Sequence, residues 1–189
     1  FMVIFILIAL LELRQPRRTL TTSKKMRWFN NLSIVVINPV LVHLTFPVLA
    51  VGIAQTTQIN GWGLLNVFSL PSLIALAVGF VVLDLAIYFQ HVMFHAVPLL
   101  WRLHMVHHAD LDFDLTTGLR FHPVEILLSM ILKIAVIVAL GPPVVTVLAF
   151  EVILNGMAMF NHGNIKIPQM VDKWLRCFVV TPDMHRVHH

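Results

Sequence analysis

The chain has 189 residues, enough for one domain; 58% are hydrophobic and only 12% charged. Soluble domains carry roughly 25% charged residues, so with a mean hydropathy of +0.86 most of the surface is expected to face lipid. The formal charge of +4 does not indicate nucleic-acid binding, because the basic residues are few and six of them crowd into one stretch, Arg14, Arg17, Arg18, Lys24, Lys25 and Arg27.

Phe1–Leu13 is an apolar run with no basic residues before it and no small-residue cleavage site after it. It reads as the remaining part of a membrane helix rather than a signal peptide. Leu32–Ala54 is the next candidate span, expected to kink at Pro39 and Pro47. The loop Gln55–Ser69 carries no charge. Leu70 to about Gln90 is a third span, and Val124–Leu140 and Val144–Phe160 form a hairpin broken at Gly141-Pro142-Pro143. About 20 apolar residues cross a bilayer, so the last two are short. The fold expected is all-α and integral to the membrane, with four to five membrane helices and a cytosolic helical cap. Residues 1–69 are expected to form N-terminal membrane helices with a basic cytoplasmic loop, and residues 70–189 a second part that carries the remaining spans. The basic stretch assigns its own side to the cytoplasm, and counting spans from there places every histidine-rich segment on that same face.

Ten of the eleven histidines lie between His91 and His189. His91 and His95 are spaced i, i+4. His104, His107 and His108 are spaced i, i+3, i+4, and His185, His188 and His189 repeat that pattern. On a helix such residues share a face, so each motif can aim two or three imidazoles at one point. Imidazole suits Fe, Zn, Cu and Ni. Eight ligands exceed one ion's needs and imply two. His122 and His162 flank the hairpin and are further candidates, as ligands or as hydrogen-bonding supports. His43, alone in a kinked helix, reads as a satisfied interior histidine, and Cys177 as a buried small apolar residue.

Asp84, Tyr88, His91 and His95 fall on one helix face, so Asp84 is expected to accept a hydrogen bond from a ligand histidine, with Tyr88 beside it. Asp110, Asp112 and Asp114 could contact ligands or Arg120, or form a solvated loop. Asn161 and Asn164 could hold His162 or cap a helix. Lys133 and Glu151 lie equally far from the Gly-Pro-Pro break and are expected to pair across the hairpin. Two functions for such a metal site are open at this point. A membrane zinc hydrolase needs fewer ligands and a general base. A metal- or haem-binding protein without oxidase activity is the second alternative.

The strings Asp84-x3-Tyr88-x2-His91-x3-His95, Trp101-x2-His104-x2-His107-His108, Phe121-His122-Pro123-x-Glu125, Asn161-His162-Gly163-Asn164 and Thr181-Pro182-x2-His185-x2-His188-His189 resemble the sterol desaturase/fatty acid hydroxylase superfamily. The resemblance runs from about residue 70 to the end. It implies a non-haem centre of two iron ions that uses O2, and electrons from an external cytochrome or ferredoxin-type donor, to hydroxylate or desaturate a lipid. The expected setting is a bacterial inner membrane, or the endoplasmic reticulum in a eukaryote. Members of that superfamily usually continue past the last HxxHH, so the chain is expected to be cut short there.

Overall fold

The computed structural model describes every residue except Ser69. Its elements are helical: α1 (Met2–Arg14), α2 (Lys24–Thr45), α3 (Ala50–Asn60), α4 (Leu64–Val67), α5 (Ser72–Ala96), α6 (Pro98–His108), α7 (Pro123–Leu140), α8 (Val144–Asn161), α9 (Gln169–Leu175) and α10 (Pro182–His188), with one 3-10 turn at Thr117–Leu119. Four stretches are long and apolar enough to cross a membrane: Lys24–Val67, Ser72–Ala96, Pro123–Leu140 and Val144–Asn161. Only 17–22% of each apolar window is buried inside the protein. Leucine, isoleucine and valine side chains left outward on that scale need an apolar solvent, so the chain is an all-helical integral membrane protein.

Several expected boundaries shift. The span Leu32–Ala54 is two helices, not one. Pro39 is tolerated inside α2, while Pro47 falls in the break between Thr45 and Ala50. Lys24, Lys25 and Arg27 belong to the first turn of α2 rather than to a loop. The uncharged stretch from Gln55 is mostly helical, in α3 and α4. The expected boundary at residue 69 falls on Ser69, which lies outside the described residues.

The chain divides into two compact units interleaved in sequence. The first comprises Phe1–Val36, Met105–Phe121 and Leu154–His189. Its apolar core joins Ile8, Leu115, Leu119, Met159 and Ile165. Around it lies a dense ionic lattice. Buried Arg27 donates through Nη1 to Asp114 at 2.7 Å and through Nε and Nη2 to Asp110 at 2.9 Å. It also bonds the Asp112 carbonyl. A buried guanidinium is tolerated only when paired this completely. Asp112 loses solvation, which raises its pKa, but the N–H and hydroxyl groups of Thr22 and Thr21 outweigh that and hold it down at about 2. Glu12, also buried, accepts the N–H groups of Leu115 and Asn164, each at 2.8 Å. Asp110, Asp112 and Asp114 therefore anchor residues 21–31 to the segment that follows α6. Arg120 approaches Asp110 only to 3.9 Å.

The second unit comprises Ile37–His104 and His122–Ile153. Here α3 and α5 both pack on α7, with Leu65, Ala75 and Leu140 at the centre of one cluster. The turn after α7 depends on glycine at two places. Gly141 caps the helix at φ +66°, and a Cβ on Gly63 (φ +93°) would lie 2.3 Å from the Gly141 nitrogen. Across the α7–α8 hairpin, Lys133 Nζ donates to Glu151 Oε1 at 2.6 Å. The Lys133 and Glu151 side chains are 11% and 25% exposed, so each partner is needed to neutralise the other. Lys133→Met is expected to lower unfolding stability in detergent by about 3 kcal/mol. With Glu151→Gln already present, the same change should cost under about 1 kcal/mol. Equal costs in both backgrounds would show that the contact carries no coupling energy.

Candidate metal centre

In the second unit, α5 presents His91 and His95 one turn apart, with ring centroids separated by 4.7 Å. Pro98, which has no N–H to leave unpaired, opens α6. The helix then carries His104 to 4.9 Å from both rings. His104 is 1% exposed, and its Nδ1 donates to Glu125 Oε1 at 2.7 Å. Glu125 sits in the first turn of α7, where the helix dipole favours a carboxylate. The bond fixes the tautomer and orientation of the His104 ring, the arrangement that supports metal-bound imidazoles.

The first unit holds a second cluster. His107, His162, His185 and His189 each bring one nitrogen to within 4.8 Å of the others. The Nε2 atoms of His107, His185 and His189 each lie 3.0 Å from His162 Nε2, and those of His189 and His107 lie 3.1 Å apart. The proton positions follow from the opposite nitrogens. His162 Nδ1 faces the Ala158 carbonyl at 2.7 Å and His107 Nδ1 faces the Arg120 carbonyl at 3.1 Å. A carbonyl only accepts, so both rings carry their proton on Nδ1 and, when neutral, bare lone pairs on Nε2. Burial, reinforced by His185 and His189, pushes the His162 pKa well below the ordinary imidazole range, which keeps that ring neutral.

Two bare nitrogens at 3.0 Å repel unless a cation lies between them. The spacing also suits ligation: two nitrogens about 2.1 Å from a shared ion stand about 3 Å apart at a right angle. The donor set therefore fits a metal ion such as iron or zinc. His108 stacks on His189 at 4.1 Å and lies 5.0 Å from His188. The His107 ring is stacked on Phe121 at 4.4 Å. Gly118 lets the backbone approach His162: a Cβ there would lie 2.3 Å from the Ala158 oxygen and 2.8 Å from His162 Nδ1.

Other expected roles are filled differently. Asp84 and Tyr88 are exposed on α5, and Tyr88 packs on Phe89. The carboxylate that holds a histidine is Glu125, not Asp84. The signal available in the sequence was an acid in the first turn of a long apolar helix. His122 caps α7, its Nδ1 accepting the Val124 N–H at 3.1 Å, and it joins neither cluster. Asn164 exchanges hydrogen bonds with the Arg18 backbone, and Asn161 makes no bond to His162 among the described residues. His43 is exposed, not interior, and donates to the Pro39 carbonyl. Cys177 is exposed as well.

Residues 76–189 match the fatty acid hydroxylase family profile. Alkylglycerol monooxygenase from Homo sapiens is 28% identical over 144 residues, covering 72% of this chain and 30% of the relative. Ornithine lipid hydroxylase OlsE from Rhizobium tropici is 28% identical over 120 residues, covering 63% of this chain and 35% of the relative. The chain spans about a third of the length of these curated relatives. No solved structure matches it. With its helical membrane fold and clustered imidazoles, the chain belongs to the fatty acid hydroxylase family, within the sterol desaturase/fatty acid hydroxylase superfamily.

The His104–Glu125 bond gives a direct test. Glu125→Gln keeps the shape but removes the charge that holds the imidazole. Metal affinity, measured by chelator competition, is expected to fall about 10- to 100-fold. An unchanged affinity would mean that His104 is not a ligand.

Proposed function

We propose that the chain forms the histidine-rich core of a membrane-bound two-iron oxidase that uses O2 to hydroxylate a C–H bond of a lipid. One iron would be held by His107, His162, His185 and His189, with His108 and His188 beside them. The other would be held by His91, His95 and His104. Bound iron supplies the redox chemistry with O2 that no side chain can. The observation that carries the reading is the set of Nε2 atoms about 3 Å apart, two of them with their protons fixed elsewhere.

The chain's own groups prepare the site. Ala158 and Arg120 lend carbonyls that fix tautomers, and Glu125 orients His104. Burial of His104, His107 and His162 limits the access of water to their rings. Oxygen insertion into R–H consumes O2, two electrons and two protons, and yields R–OH and water. The electrons would come from a cytochrome or ferredoxin-type donor. The names of the two relatives, a monooxygenase and a hydroxylase, favour this outcome over desaturation. A zinc hydrolase is disfavoured because Glu125, its best candidate for a general base, already binds His104. The basic stretch Arg14–Arg27 supports placing the site on the cytoplasmic side.

Lipid extracts from cells with and without the intact gene provide the test. The expected product is a lipid heavier by one oxygen, present with the gene and lost with His162→Ala. It should be retained with His43→Ala, which alters an exposed residue of α2. A product lighter by two hydrogens would replace hydroxylation with desaturation. No change in any lipid would overturn the oxidase assignment.

A further inference from the structure

A cationic cavity in the first unit lies outside both histidine clusters. Pro16 and Ile165 form an antiparallel bridge, and Arg17 and Lys166 flank it diagonally, one on each side. The Arg17 N–H donates to the Asn164 carbonyl at 3.0 Å, and the Lys166 N–H to the Gln15 carbonyl at 2.9 Å. Each cation follows the end of an apolar helix: α1 stops at Arg14, and α8, a candidate span, stops at Asn161. Their side chains line a cavity of about 440 Å³, together with Gln169, Asp172, Arg176 and Asp183.

The charges on this wall do not balance. Asp183 is shared between Arg17 Nε at 3.1 Å and Arg186 Nη1 at 3.3 Å. Asp172 is taken by Arg176. Lys166 has no acidic partner among the described residues. Behind Asp183, Arg186 Nε and Nη2 are buried with no partner among the described residues. Four cations thus share two carboxylates.

The segment bordering the cavity, α9 and the turn after it, is two-sided. Gln169, Asp172 and Arg176 line the cavity, whereas Met170, Trp174 and Phe178 are 69%, 67% and 85% exposed. An exposed Trp and Phe beside basic residues, five to seventeen positions after a membrane span, suit the headgroup layer of a bilayer. We propose that this cavity binds the headgroup of an anionic phospholipid, its phosphate seated among Arg17, Lys166 and Arg176 and its glycerol end beside Trp174. A soluble anion would leave the aromatic strip without a role.

The purified protein in uncharged detergent can be titrated with short-chain phosphatidylglycerol, short-chain phosphatidylcholine or inorganic phosphate while Tm is followed. Phosphatidylglycerol is expected to raise Tm at about 10-fold lower concentration than phosphatidylcholine, and the double variant Lys166→Gln/Arg176→Gln should erase that preference. Lys173→Gln, on the same helix but outside the cavity, should keep it. Equal responses to the two lipids, or a preference that survives the double variant, would overturn the proposal. So would inorganic phosphate reproducing the whole shift, which would indicate a site for a free anion. The readout needs no metal and no turnover, so its failure would be separate from failure of the oxidase reading.

Discussion

Imidazole nitrogens with bare lone pairs repel at 3 Å, and the fold nevertheless holds them there. His162 and His107 cannot relieve the contact by moving a proton to Nε2, because their Nδ1 protons are committed to the Ala158 and Arg120 carbonyls. Those carbonyls sit on rigid structure: Ala158 is in α8 and Arg120 ends a 3-10 turn. The glycine at 118 lets that turn lie directly against His162. A cation is the simplest resolution, and the surrounding bonds are arranged for it.

Holding the loop after α6 in place requires buried charge. Arg27, Asp110 and Asp114 are all below 10% exposed, and removing one would leave the others desolvated. The basic stretch that serves in sequence as a topology signal thus also has a structural role. Arg27 and the Thr21–Thr22 backbone hold the segment that leads to the 3-10 turn and, through it, to the carbonyl on His107. Part of the charge near the membrane surface therefore serves packing, while Arg17 and Lys166 line the cationic cavity.

The histidine groupings were legible because i, i+3 and i+4 spacing has one meaning on a helix, and α5, α6 and α10 are helices. The Gly-Pro-Pro break and the opposition of Lys133 and Glu151 were legible for a related reason: equal distances from a tight turn bring residues to similar depth. Helix continuity was less legible, since Pro39 is absorbed within α2 while Pro47 is not. Supporting partners were harder still. Asp84 shares a helical face with His91, but it points out of the fold, whereas Glu125 reaches His104 from 21 residues away. Asn164 sits beside His162 in sequence and turns to Arg18 instead. Such pairings depend on which segments meet in three dimensions, and local spacing does not encode that.

The central claim concerns what the two imidazole clusters hold, so counting metals tests it most directly. The purified protein can be analysed for metals and by Mössbauer spectroscopy. The account predicts close to two irons per chain, with loss of iron from both sets of sites only when both clusters are altered. One zinc per chain, with no iron and no redox response, would contradict it.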